Sequence, residues 1–530
     1  MSNDVVSRKL FEKLKNTKYL LLLDDVWDKV DLEDVGVPAP SSENGCKVTD
    51  VIELDEIQPL ARGVIRECGG LPLAVIVVGG ALRREKDIHV WQNALNELRM
   101  AATSHIEDIE EKVFKRLKYS YDRLKDDNMK SCFLYCALYP EDYEITIDEL
   151  IEHWRAEGFI EGARNLEARN KGHTILKYLV DMHDMIRDLA LRITSHGGGE
   201  GRMYLARAIK KLEEPPKEQA KWKHANGISL MHNNLSLLPK SVDCPFLTTL
   251  FLQWNNRLKT IPNPFLEGMP ALRVLDLSGT GIKQLPPPIC RLKNLRGLYL
   301  RECHLLFTLP PEIGSLESLE VLVVTGIRYL PKEIGELGRL WRLRVSFSRE
   351  RDDDLEHEVQ RMIPDEGISR LTHLEDLRIE IDTEDERWNE IVEAVTEEIG
   401  GLKELCRLDF CFAKCKDVEQ IIVGEVTNNT LQKLMTLILV GLGKLDRICE
   451  GGISWPSLDY VRILECMKLR RLPFGTDSAP SLKTIECEKE WWDSLEWEMM
   501  LPETDFSRSS LYGAHEDGLK ANPITMLWKD

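Results

Sequence analysis

The sequence is short of positive charge. Acids outnumber bases 89 to 70, giving a formal net charge of −19. That excludes general nucleic-acid affinity, which rests on Lys and Arg neutralising phosphates. No C-x-x-C pair occurs among the 13 cysteines, and their number is odd. This excludes a secreted disulfide framework and fits reduced thiols. Cys132/Cys136 and Cys411/Cys415 are spaced for a shared ligand, but no paired histidines accompany them, so a structural zinc site is not expected there. The opening Met1-Ser-Asn-Asp is polar and has no apolar signal core. The longest apolar stretch, Leu71 to Leu82, is about half of what a bilayer requires. These absences point to a cytoplasmic protein without a membrane span, with peripheral attachment at the plasma membrane as the variant reading.

Leucine is abundant, and it is periodic. Leu238-Pro239, Ile261-Pro262, Leu285-Pro286, Leu309-Pro310 and Leu330-Pro331 follow one another at 23, 24, 24 and 21 residues. Between these marks recurs an L-x-x-L-x-L phrase, as in Leu272 to Leu277, Leu295 to Leu300, Leu319 to Val324 and Leu340 to Val345. A period of 20–29 residues carrying this phrase is the leucine-rich-repeat signature. One repeat cannot bury its apolar face alone, so neighbours stack into a solenoid. Later copies start at Leu374, Leu405, Leu434 and Leu482, with charged insertions near 349–361 and 382–398. Alternation along each strand sends the intervening residues to the concave face. That face then holds Arg301, Arg342, Arg344, Arg378 and Arg407 with the acids Asp276, Asp376, Glu380 and Asp409. An arginine column in an acidic chain suits an acidic protein surface, because the guanidinium fork meets carboxylates bidentately. A solvated strand face is the competing reading.

Before the repeats, Lys18 to Leu23 is a continuous apolar run ending in Asp24-Asp25. Such a run suits a strand buried on both faces of a parallel sheet, with the acids at its ligand-binding end. One carboxylate there can hold Mg²⁺ and the other can orient water, although a strand ending in Asp-Asp also serves as a plain solvated turn. Downstream come Cys68-Gly-Gly70-Leu71-Pro72-Leu73-Ala74, Lys130 to Asp142, Leu150 to Ile160 and Asp181-Met182-His183-Asp184. In order and spacing these phrases resemble plant intracellular disease-resistance receptors of the coiled-coil class. Those receptors carry a nucleotide-binding NB-ARC module followed by leucine-rich repeats.

The resemblance implies roles residue by residue. Asp24 and Asp25 take the place of the Walker B acids, with Asp24 toward Mg²⁺. Gly70, Leu71, Pro72 and Leu73 take the place of the GLPL motif beside the adenine. Met182, His183 and Asp184 take that of the MHD switch motif, whose histidine contacts the ADP phosphates. The residues alone also allow Pro72 as an ordinary first-turn proline and Asp181 as a helix cap. No G-x-x-x-x-G-K-[ST] occurs in the chain, so the phosphate cradle that the family places upstream of the Asp24 strand is missing. The segments after Val48 and after Val180 are also shorter than the family pattern.

The expected fold is therefore α/β. A partial P-loop-type NB-ARC module with an incomplete parallel sheet, a helical ARC1 part and a winged-helix ARC2 part precedes a leucine-rich-repeat solenoid. Expected boundaries are 1–60 for the nucleotide-binding remnant, 61–125 for ARC1, 126–195 for the winged helix, 196–223 for a linker, 224–490 for the repeats and 491–530 for a cap and a poorly packed tail. The expected function is plant defence, with ADP/ATP and Mg²⁺ as the family's cofactors, impaired binding by this chain, and at most a vestigial ATPase. A pathogen effector or guarded host protein is the expected partner through the repeats, together with an intramolecular contact between repeats and NB-ARC. A nucleotide-independent adaptor, decoy or regulatory protein is the alternative.

Overall fold

A strand that alternates Leu with small or charged residues buries one row of side chains and offers the other. In the computed structural model thirteen such strands form one parallel sheet. They are Tyr204–Ala206, Gly227–Ser229, Thr249–Phe251, Val274–Asp276, Gly297–Leu300, Val321–Ile327, Arg342–Phe347, Asp376–Ile381, Arg407–Cys415, Thr436–Leu442, Tyr460–Leu464, Thr484–Glu488 and Thr525–Lys529. Each pairs with the next in the order given. The structure describes residues 57–67, 87–103, 126–140, 143–162, 165–179, 185–195, 202–216, 219–347, 363–381, 402–415, 419–422, 431–474, 478–496 and 525–529, with a few single positions between. Both charged insertions lie almost wholly outside the described residues.

The inward leucines form one continuous core. Leu250, Leu275, Leu298, Leu322, Leu343, Leu377, Leu408 and Leu437 are all buried in it, one per coil. Each contributes roughly 1.5–3 kcal/mol through removal of its surface from water. An asparagine ladder ties the first coils together. The Asn255 side chain donates to the carbonyls of Leu230 (2.9 Å) and Leu252 (2.8 Å) and accepts from the N–H of Leu235 (3.1 Å). Asn233 does the same one coil earlier, toward Leu230, Arg207, Lys210 and Leu212. From the next coil onward the ladder changes chemistry: Thr280 and Cys303 donate to the carbonyl of Leu277.

The chain turns out of several strands through one left-handed residue, including His232, Trp254, Gly279, Glu302 and Glu465. Glycine is required at 279, where an added Cβ would stand 2.5 Å from the Trp254 ring. At the far end Trp491 and Trp492 fold into the core, and the Trp491 indole donates to Leu469 at 2.9 Å.

The sheet exceeds the expected repeat boundaries at both ends. Tyr204–Ala206 pairs with Gly227–Ser229 inside the expected linker, and helix Gln219–His224 follows it. Thr525–Lys529 adds a strand beyond the expected cap, pairing with Thr484–Glu488. Neither carries an L-x-x-L-x-L phrase, which is why the period does not reveal them.

Among the described residues six helices precede the sheet: α1 (Gln58–Glu67), α2 (Ile88–Thr103), α3 (Asp127–Tyr135), α4 (Ile147–Ala156), α5 (Asn165–Leu179) and α6 (Met185–Ser195). The chain divides into two compact units, 1–137 with 169–198, and 138–168 with 199–530. In the first unit α1 and α2 bury Ala61, Val64, Trp91, Ala94, Leu95 and Leu98 together with Val78 and Leu82. Gly63 permits that approach, since a Cβ there would meet the Leu95 side chain at 2.9 Å. The expected winged helix, 126–195, is thus shared between the units, with α4 in the unit that holds the repeats. No described helix is long and apolar enough to cross a membrane.

Candidate functional site

Helix α4 has clear local causes. Thr146 caps its first turn, accepting from the N–H of Glu149, and Asp148 and Glu149 lie at the positive end of the helix dipole. Gly158, at φ +80, ends it in the left-handed conformation that favours glycine. The Thr146-x-x-Glu149 spacing is that of a capping box, yet the Glu149 carboxylate points elsewhere. It pairs with Arg301 on the concave face of the sheet.

The rest of α4 follows it onto that face. Glu152 meets Arg342, which also donates to Asp376 at 2.7 Å. Arg155 lies 4.5 Å from the centre of the Trp341 ring and 3.7 Å from Glu320. His153 is wholly buried, edge-on to Tyr299 with ring centres 4.7 Å apart, and its Nδ1 meets the Tyr139 hydroxyl at 2.6 Å. Glu157 accepts from the Thr249 hydroxyl while its backbone carbonyl accepts from Arg273. Beneath the helix the concave residues Thr249, Phe251, Val274, Asp276, Tyr299, Val321, Val323 and Arg342 are all buried. Helix α4 therefore occupies the first half of the concave face.

Burial sets the electrostatics. It lowers the Arg342 pKa to about 10, against the attraction of Asp376. Asp376 is held below the usual carboxylate range because Arg342, Arg344 and Arg407 outweigh its burial. Arg301 is raised, since Glu149 and Asp276 outweigh its own burial. Burial lowers His153 to about 4 and, with Glu149 alongside, raises Asp276 to about 6. Glu157 is raised by burial, with only partial relief from Thr249.

The five concave arginines do not form one column. Across neighbouring strands Arg342, Asp376 and Arg407 are in register, and so are Arg344, Arg378 and Asp409. Arg301 and Arg342 face acids of α4, whereas Arg344 pairs with Asp376 and Arg378 with Glu380 and Asp409. Arg407 pairs with Asp409 at 3.2 Å. Farther along, Arg462 and Tyr460 share Glu486. Sequence reasoning found these arginines but missed Glu149, Glu152 and Glu157. Their i, i+3 and i+8 spacing was the available signal, since it sets two acids along one helix and a third at its C-cap. Asp24, Asp25, Gly70, Leu71, Pro72, Leu73, Met182, His183 and Asp184 all lie outside the described residues.

Known families match three parts of the chain. Residues 1–50 match the NB-ARC domain, 138–182 the winged-helix domain of disease resistance proteins, and 245–292 and 289–489 two leucine-rich-repeat families. Disease resistance protein RPS5 of Arabidopsis thaliana is 30% identical over 94% of this chain and 71% of its own length. The chain belongs to the plant disease-resistance protein family. A probable disease resistance protein of Arabidopsis thaliana, At1g61300, is 31% identical over 92% of this chain and 80% of its own. With a third member from that plant, At4g27220, identity rises to 39% over 58% of this chain, which is 38% of that protein. A leucine-rich-repeat protein of Leptospira interrogans aligns at 20% identity over 54% of this chain and 75% of its own, with a TM-score of 0.34. In family terms α4 is part of the winged-helix domain, and the NB-ARC match covers residues 1–50 alone.

Proposed function

We propose that this family member serves plant defence as a protein-recognition chain whose winged-helix helix α4 is latched into its own repeats. The observation that carries this reading is the pairing of Glu149 and Glu152 with Arg301 and Arg342. Those acids stand where an acidic partner would bind, so a pathogen effector or guarded host protein that takes the arginines releases α4. These 530 residues carry no phosphate-cradling G-x-x-x-x-G-K-[ST] motif, so this chain by itself is expected to hold ADP weakly.

The test is Arg301→Glu in the full chain. It should increase protease cleavage between residues 157 and 165, restored to the parent level by adding Glu149→Arg. In leaf tissue the single variant should raise defence-gene expression above the parent. Equal cleavage and equal expression in both would refute the latch. A nucleotide-independent adaptor or decoy is the second reading, favoured by the same missing motif. Nucleotide content after gentle purification separates the two: bound ADP supports a switch, and its absence supports the adaptor.

A further inference from the structure

Between α4 and the 274–276 strand lies a cluster that shares Glu149 with the latch and adds two residues that the latch does not use. One donor atom from each of Glu149, His153 and Asp276 lies within 4.8 Å of the others. Glu149 and His153 are four apart on one helix, which is chelate spacing, and Asp276 faces them from the sheet. His153 and Asp276 are almost fully buried. Two carboxylates here face one guanidinium. Arg301 pairs with Glu149, while Asp276 has no ion-pair partner among the described residues and is hydrogen-bonded by Ser278, whose N–H donates to it at 2.8 Å. A buried site with two negative charges and one positive is short of a cation, and uncompensated buried charge is costly.

A second observation points the same way. Gln253 is 1% exposed, yet neither its amide oxygen nor its nitrogen has a hydrogen-bond partner. It lies on the concave face two residues beyond Phe251, and Phe251 is in register with Asp276 on the next strand. A buried primary amide with both ends unmet needs a ligand or a ligand's water. Its oxygen is a hard donor of the kind that completes a carboxylate–imidazole set.

We propose that Glu149, His153 and Asp276 bind a zinc-like divalent ion, with Gln253 completing the site directly or through a bound water. Ligand atoms of a tetrahedral zinc site stand about 3.4 Å apart, so the three side chains close by roughly an ångström to take the ion. Arg301 retains one Glu149 oxygen and leaves the other for the ion. Tyr139, at Nδ1 of His153, fixes the ring so that Nε2 is the ligand, the usual arrangement around a metal-bound imidazole. Tyr139 is a positioning residue here. The ion would join α4 to the repeats and add to their docking.

Zinc and cobalt(II) titrated into the full chain at neutral pH test this directly. The expected result is one equivalent bound, with a cobalt visible spectrum free of the thiolate charge-transfer band that the cysteines would give. Asp276→Asn and His153→Gln should abolish this binding, and both should still unfold cooperatively. Tyr139→Phe should weaken it by roughly tenfold to a hundredfold. No bound equivalent, a thiolate spectrum, or binding unchanged in Asp276→Asn would each overturn the site. If Asp276→Asn instead raises the melting temperature and the parent binds no metal, the missing cation is a proton on Asp276 and the proposal fails.

Discussion

Arg342 shows how a single residue can be right in position and different in company. Its place on the concave face follows from alternation, but its two carboxylates, Glu152 and Asp376, come from a helix and a neighbouring strand. Truncating one member of a buried ion pair costs about 3–5 kcal/mol because the partners keep their desolvation penalty. Arg342→Ala should therefore lower the urea midpoint by more than Arg407→Ala, whose side chain is about one-third exposed. Equal losses would show that α4 adds nothing at this position. Glu157 gives a pH prediction. Its folded pKa is raised above 4.5 by burial. Between 4.5 and the raised value the native state holds more protons than the unfolded one, so stability falls as pH climbs through that window. Glu157→Gln keeps an acceptor for Thr249 and removes the charge. It should stabilise the chain at pH 7 and lose that advantage near pH 4, as followed by urea unfolding at both values. At this scale the arginines were legible because strands alternate strictly. The acids of α4 and its C-cap were not, because such carboxylates read as a solvated face.

At the scale of elements, the period exposed most strands and hid the two at the ends. Strand Tyr204–Ala206 has one leucine, and its place is fixed by side chains from the next coil, such as Asn226, whose carboxamide oxygen accepts from Met203 at 2.9 Å. Helix α4 was legible as a segment and illegible as a lid, since its burial on nearly every side depends on a sheet that lies far along the sequence. A fragment beginning at residue 202 should melt cooperatively, because each repeat contacts chiefly its neighbours. One beginning at 225 exposes Ile228 and Leu230, which are otherwise fully buried, and should melt lower and aggregate sooner. Identical melting of the two fragments would deny the first strand its covering role. Within either fragment Asn255→Ala should cost about 1–3 kcal/mol, since it leaves the carbonyls of Leu230 and Leu252 and the N–H of Leu235 with one partner fewer. Thermal denaturation of the purified variant reads that cost.

For the whole molecule the deciding question is whether it still switches on nucleotide. The family's module works by surrounding phosphates with backbone N–H groups and one lysine, and the G-x-x-x-x-G-K-[ST] that supplies them is missing from this sequence. In the Walker B place that the resemblance gives them, Asp24 and Asp25 would position Mg²⁺ and water, but carboxylates repel phosphate and cannot replace the cradle. If Pro72 and His183 take the places the family resemblance gives them, they would supply an adenine edge and one phosphate contact. Charge-assisted hydrogen bonds contribute roughly 1.5–3 kcal/mol each, so losing three or more weakens binding by several orders of magnitude. This chain should therefore hydrolyse ATP at the background rate and bind Mg-ADP too weakly for calorimetry at micromolar concentrations. His183→Ala should change neither result. A micromolar or tighter dissociation constant, abolished by His183→Ala, would show a working switch. The α4 latch would then answer to nucleotide as well as to a partner. If ADP does not bind, release of α4 rests on the concave face alone, where added salt weakens the more exposed Arg301–Glu149 pair before the buried Arg342–Glu152 pair.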